Sequence, residues 1–313
     1  MPCIPISRFL FLILYPRTPS SARSSFLAPH SRILSLCFSR FSSRLRTRPR
    51  APALRILKGD DRLLSSLRIA LSMYSILPVP APAWEERNMR FAFAWLPLVG
   101  ALCGGVAAGW ALLQPLIHTH ALLFAALAVL LAVLLSGGLH MDGFMDAADA
   151  LFSRRDPAQK CAIMKDPHCG PFAVVSAVFL LLLSVAAWDQ LLEVPHLLLA
   201  AAGAYTLARA QAVVLGSVRP YAPSSTLGTL FASRSSRATP WIGGVWILLS
   251  LAYMALFSWP AAMAAAGVQL LWALWYCRLT RRAFGGLTGD LLGFFIEISQ
   301  LFILLTLACF TLF

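Results

Sequence analysis

The stretch ALLFAALAVLLAVLLSGGLHMDGFMDAADALF, residues 121–152, sets the terms for the whole chain. Its first half has no charged side chain and is apolar enough to enter a bilayer. Its second half places His140, Asp142, Asp146 and Asp149 within ten residues. An apolar segment that opens onto a row of carboxylates points to a membrane protein with chemistry at the membrane surface, because ionisable groups at that depth are costly unless they serve a purpose.

The composition agrees. Of 313 residues, 59% are hydrophobic and 12% charged, with mean hydropathy +0.74. A soluble domain carries about 25% charged residues. Only helices and closed barrels satisfy their backbone in lipid. The runs here have helical length, so the expected fold is an all-α, polytopic integral membrane helix bundle of about seven transmembrane helices. The expected spans are 91–115, 120–137, 171–188, 196–216, 239–257, 260–277 and 291–312. Residues 62–77 mix polar and apolar positions before PVPAP and are expected as an amphipathic or re-entrant helix.

The net charge of +13 does not indicate a nucleic-acid groove. Residues 1–59 hold 11 of the 26 basic side chains and none of the 13 acidic ones, which leaves the rest nearly balanced. Residues 1–60 are therefore expected to be a basic Ser/Arg/Pro-rich leader, disordered or upstream of the true start, and residues 61–313 a single membrane domain. The seven cysteines lack a Cys-x-x-Cys pair and are expected as free thiols.

Basic residues alternate between connections. Arg87 and Arg90 precede the first span. Arg154, Arg155, Lys160 and Lys165 follow the second, Arg219, Arg234 and Arg237 the fourth, and Arg278, Arg281 and Arg282 the sixth. The intervening connections, with HTH, WDQLLEVPH and SWPA, contain no Lys or Arg. The positive-inside rule then places the basic loops and the aspartates in the cytoplasm, in a cytoplasmic (inner) membrane.

Asp142, Asp146 and Asp149 recur at i, i+4 and i+7, within about 60° of arc on a helix. Such carboxylates repel one another, and a hard divalent cation such as Mg²⁺ relieves the conflict when phosphate oxygens complete its shell. The bland alternative is an acidic helix start favoured by the macrodipole. Five of the 13 acids nevertheless fall within residues 142–166. RRDPAQKCAIMKDPHCGPF, residues 154–172, adds cations suited to a diphosphate, Lys165 and Asp166 among them. A second cluster, GGLTGDLLGFFIEISQ (285–300), puts Asp290 and Glu297 on one face, with Gly289 giving backbone access. Here the bland alternative is a capped helix start with Glu297 in a structural bond. Arg209 lies near the inner end of the fourth span.

Taken together, these elements resemble the adenosylcobinamide-GDP ribazoletransferase (cobalamin synthase) family. The resemblance covers about residues 65–313 and includes SILPVP (75–80) and LPLVGALCGG (96–105). The chain departs from the family pattern at Ala150, at Pro167-His168-Cys169 and at Gln300. The resemblance implies Mg²⁺-dependent transfer of the adenosylcobinamide phosphate moiety from adenosylcobinamide-GDP to α-ribazole or its 5′-phosphate, with release of GMP. It further implies that Asp142, Asp146 and Asp149 hold the metal, and that one of them or His140 takes the proton. Lys165, Asp166, Arg209, Gly289, Asp290 and Glu297 would line the substrate site. The implied partners are those substrates and the lipid bilayer, without nucleic acid; a homo-oligomer or an assembly with other corrinoid-making enzymes stays open.

Two other classes share part of the pattern. Membrane phosphotransferases of the CDP-alcohol type also hold metal on spaced aspartates, but their Ala-Arg pair after the first Asp-Gly is missing here. An ion-coupled transporter would need polar groups through both leaflets and inverted repeats, whereas these acids mass on one side.

Overall fold

The computed structural model describes residues 61–83, 85–223, 225 and 235–312. The proposed leader, Arg234 and part of the Pro-rich loop after Arg219 lie outside the described residues.

A short helix, α1 (Asp61–Tyr74), stops before the proline-rich PVPAP. One turn, α2 (Glu86–Met89), and a 3₁₀ turn (Phe93–Trp95) lead into α3 (Leu96–Ile117). Then come α4 (Ala121–Leu135), α5 (Leu139–Phe152) and α6 (Pro157–Ile163). The remaining helices are α7 (Pro171–Leu191), α8 (Pro195–Ala200), α9 (Ala202–Val218), α10 (Thr239–Phe257), α11 (Trp259–Phe284) and α12 (Gly289–Cys309). Proline near the first position starts α7, α8, α10 and α11, where its missing N–H is no loss. The only β feature among the described residues is an isolated bridge, Tyr221 with Leu287.

Six segments are long and apolar enough to cross a membrane: Phe93–Ile117, Pro171–Leu191, Pro195–Val218, Thr239–Phe257, Trp259–Phe284 and Gly289–Leu312. The chain is thus an all-α, multi-pass membrane protein, and these six match expected spans to within a few residues at most ends. The expectation over 120–137 needs correcting. There α4 ends at Leu135 and α5 leaves at 95° after Ser136, Gly137 and Gly138. Gly137 and Gly138 have φ of 65° and 70°, a region open to glycine at little cost. At 15 residues, α4 reaches only about 22 Å, short of the roughly 30 Å hydrocarbon core. The seventh candidate is therefore a bent pair, a broken span or a re-entrant loop, rather than one rod.

Helix α9 is the centre of the bundle, buried on nearly all sides against α3, α10 and α12. Leu248, Leu249 and Leu256 of α10, by contrast, face outward, as a lipid-exposed helix requires. Trp241 and Trp259, near the two ends of α10, are 80% and 70% exposed, the placement of interfacial anchors. Small residues let the helix backbones touch in lipid. On α3, Gly104 lies on the Ala202 carbonyl of α9, and a methyl group there would overlap that oxygen, whereas Gly105 beside it faces open space. Gly104→Ala is therefore expected to cost about 1–3 kcal/mol by overpacking and to lower the melting temperature in detergent. Gly105→Ala should melt with the wild type.

Candidate active site

Helices α5 and α12 cross with their backbones in contact. A Cβ on Gly143 would stand 2.9 Å from the Asp290 Cα, and one on Gly293 would stand 2.9 Å from the His140 carbonyl oxygen. No other residue type fits this crossing without parting the helices. Beside it, the Phe144 and Phe294 rings stack at 5.4 Å and 7°. The start of α12 is fixed as well: Thr288 Oγ1 accepts the Leu291 N–H at 3.1 Å, a side-chain N-cap. The preceding turn is tied to the loop after α9, where the Ala222 N–H donates to the Leu287 carbonyl at 2.8 Å and the Leu287 N–H to that of Pro220 at 3.0 Å.

The crossing assembles carboxylates from both helices. Asp146 lies close enough to Asp142, Asp290 and Asp149 for all three charges to act on it. Asp142 is exposed, and Asp146, Asp149 and Asp290 are half-buried. Lys165 acts electrostatically on Asp290. The Asp149 carboxylate rests on Gly170, where a side chain would displace it. Gly289, at the exposed start of α12, has open space where a ligand can approach the backbone. Sequence reasoning missed Gly170; its signal was the glycine of HCGP at the entry to α7.

Three sequence-derived assignments look different in place. First, among the described residues no three His, Cys, Asp or Glu side chains converge closely enough to hold a metal ion. Asp142 and Asp149 stand about 10 Å apart along the helix axis, so these three carboxylates form a row rather than a point. Second, α5 runs unbroken through Gly143, so no turn swings His140 round to the aspartates. His140 is buried at 5% exposure; its ring stacks on Tyr74 at 6.5 Å, and its Nδ1 stands 3.5 Å from Arg209 Nη2.

Third, Arg209 lies inside the bundle at 1% exposure. Its Nη1 donates to the Tyr205 carbonyl at 3.1 Å and to Gln300 Oε1 at 2.9 Å. Gln300 Nε2 in turn donates to Glu297 Oε2 at 3.1 Å. Arg209, Gln300 and Glu297 line a cavity of about 30 Å³, room for about one water. The structure brings His140, Arg209 and Glu297 together in this inner network and gathers Asp142, Asp146, Asp149, Asp290 and Lys165 at the crossing. Asp166 belongs to neither group; it is exposed and pairs with His168.

Fold and site together define a multi-pass membrane protein with a row of carboxylates built on two touching helices. The sequence pattern of the cobalamin-5-phosphate synthase family matches residues 66–308. An adenosylcobinamide-GDP ribazoletransferase of Pseudomonas paraeruginosa is 39% identical over 251 residues, 78% of this chain and 98% of that one. Proteins of that name from Desulfitobacterium hafniense (36% identity; 77% of this chain, 96% of that one) and Lachnoclostridium phytofermentans (33%; 76% and 91%) are also similar. No solved structure matches. The chain belongs to the cobalamin-5-phosphate synthase family and is an enzyme of cobalamin synthesis.

The inner network carries its own test. Arg209→Met removes the donor to Gln300 and a cation that acts electrostatically on Glu297, and losing a buried, hydrogen-bonded charged group of this kind costs about 1–3 kcal/mol. A second change, Glu297→Gln, should recover part of that loss in a double-mutant cycle read by thermal melting.

Proposed function

We propose that this chain transfers the adenosylcobinamide phosphate moiety of adenosylcobinamide-GDP to α-ribazole or its 5′-phosphate, releasing GMP, with Mg²⁺ as cofactor and with its site open to the cytoplasm. The observation that carries this proposal is the crossing of α5 and α12, which concentrates Asp142, Asp146, Asp149 and Asp290 beside Lys165 at one end of the bundle.

The donor set suits a hard cation, since every candidate ligand there is a carboxylate oxygen. The spread of those carboxylates fits the usual Mg²⁺ mode, in which the protein gives one or two ligands and substrate phosphates and water complete the shell. Asp142 and Asp146, one helical turn apart, would hold the ion with Asp290 facing them. When bound, Mg²⁺ neutralises charge on the diphosphate and on the departing phosphate.

The chain's own residues do the rest. Lys165 offers an ammonium to a phosphate oxygen, and Gly289 leaves backbone room for the diphosphate. Such a displacement depends mainly on positioning and charge stabilisation, which a rigid glycine crossing supplies. Orientation follows from the alternation of basic loops, whose Lys160 and Lys165 share the side of the aspartates.

Purified enzyme in detergent is expected to release GMP from adenosylcobinamide-GDP when α-ribazole is added. EDTA should abolish the activity and Mg²⁺ should restore it. Asp146→Asn should lower GMP release by about 100-fold or more. Wild-type-like, Mg²⁺-dependent GMP release by Asp146→Asn would remove the assignment. Release of CMP from a CDP-linked lipid precursor instead of GMP would favour the CDP-alcohol class.

A further inference from the structure

Helix α5 carries two aromatic pairs, and only one of them serves the crossing. Phe144 and Phe294 stack nearly parallel and are buried. At the other end of α5, Phe152 meets Phe172 of α7 with ring centroids 6.0 Å apart and planes tilted by 38°. These two rings are 52% and 48% exposed, so each keeps a face open to the outside. Apolar side chains exposed singly are ordinary. Two aromatic faces left open side by side form a surface that packing within the chain does not explain.

The pair stands at the end of the carboxylate row. The open side of α5 is its acidic side: Asp142 is exposed and Asp146 and Asp149 are half-buried, whereas Gly143, Phe144 and Ala147 are buried. Phe152 continues that open side one turn past Asp149. Residues three apart on a helix are neighbours, with Cβ atoms about 5–6 Å from one another. Phe172 reaches the same place from α7. Its Cα is within about 7 Å of that of Gly170, and Gly170 packs on the Asp149 carboxylate. Two separate elements thus tie the rings to Asp149.

We infer that Phe152 and Phe172 form the subsite for the aromatic base of the acceptor nucleoside, which stacks on their open faces. The inference rests on the transfer proposed above, in which a ribose hydroxyl of α-ribazole attacks a phosphate held along the carboxylate row. That acceptor is flat and apolar at its base and polar at its ribose. Stacking on an aromatic side chain holds such a base without a hydrogen-bond partner. One sugar ring separates the base from the attacking hydroxyl, and one helical turn separates Phe152 from Asp149. A base seated on the rings therefore leaves its ribose beside the end of the row. Lipid would also cover an exposed apolar pair, but lipid asks only for apolarity, whereas a stacked base asks for a ring.

The test uses the full chain in detergent, with GMP release followed while each substrate is titrated against a saturating level of the other. Phe152→Leu and Phe172→Leu keep an apolar side chain and lose the ring. Each should raise the KM for α-ribazole by about 10-fold, within the range of one base–aromatic stack. The KM for adenosylcobinamide-GDP and the melting transition should stay near those of the wild type, because both side chains are exposed. Phe152→Trp, which keeps a stacking face, should hold the KM for α-ribazole within about 3-fold of the wild type. An unchanged KM for α-ribazole in either leucine variant, as a lipid contact predicts, overturns the inference; so does an equal rise in both KM values. If the wild type makes no GMP, the transfer fails and the subsite with it; an active wild type with indifferent leucine variants removes only the subsite.

Discussion

Two helix backbones touch where Gly143 of α5 meets Gly293 of α12, and the gathering of carboxylates depends on that contact. Carboxylates repel, so a bundle left to minimise charge would keep Asp290 far from Asp142 and Asp146. Packing overrides the repulsion. The glycine contact, the stacked Phe144 and Phe294 rings and the capped, tethered start of α12 fix the approach before any ligand arrives. The electrostatic cost is then available to whatever cation or polar ligand offsets it, which is the sense in which a preorganised site favours binding charge.

The direction of the carboxylate row comes from a helix that stops early. Helix α4 ends after 15 residues, and paired left-handed glycines send α5 off at 95°. The carboxylates thus lie on a helix that turns away from the direction of the span that delivers it. Asp142 is exposed and Asp290 half-buried, while Leu291, Gly293 and Phe294 of α12 are buried. The carboxylates therefore keep a solvent-facing side and have apolar packing behind them.

Most of the bundle is legible in the sequence because lipid imposes length and hydropathy on every crossing helix. Six spans follow from that alone. The bend after Leu135 was harder to see, since a glycine pair leaves the backbone angles open, and only the left-handed conformation of Gly137 and Gly138 decides. The i, i+4, i+7 spacing correctly put three aspartates on one face, and the seven-residue spacing of Asp290 and Glu297 put those two on one face of α12. Spacing along one helix says nothing about depth, however. Asp290 meets α5 at the crossing, whereas Glu297, two turns further in, meets Gln300. Arg209 reads as a phosphate ligand by residue type, yet its neighbours in three dimensions are a carbonyl, an amide and an imidazole. Those long-range pairings leave no local periodicity to detect.

The separation of the two polar groups has a physical logic. A buried guanidinium inside a membrane bundle must be satisfied by protein, and Gln300 serves both sides, accepting from Arg209 and donating to Glu297. His140 connects this inner network to the crossing, with its carbonyl against Gly293 and its ring between Tyr74 and Arg209. The first turn of α5 is therefore held from below by the network and from the side by α12, which fixes the rotation of the helix and with it the direction in which Asp142 and Asp146 point. Those aspartates are spread along the axis rather than gathered on a point, and in the proposed transfer such a row suits an ion shared with the diphosphate being divided.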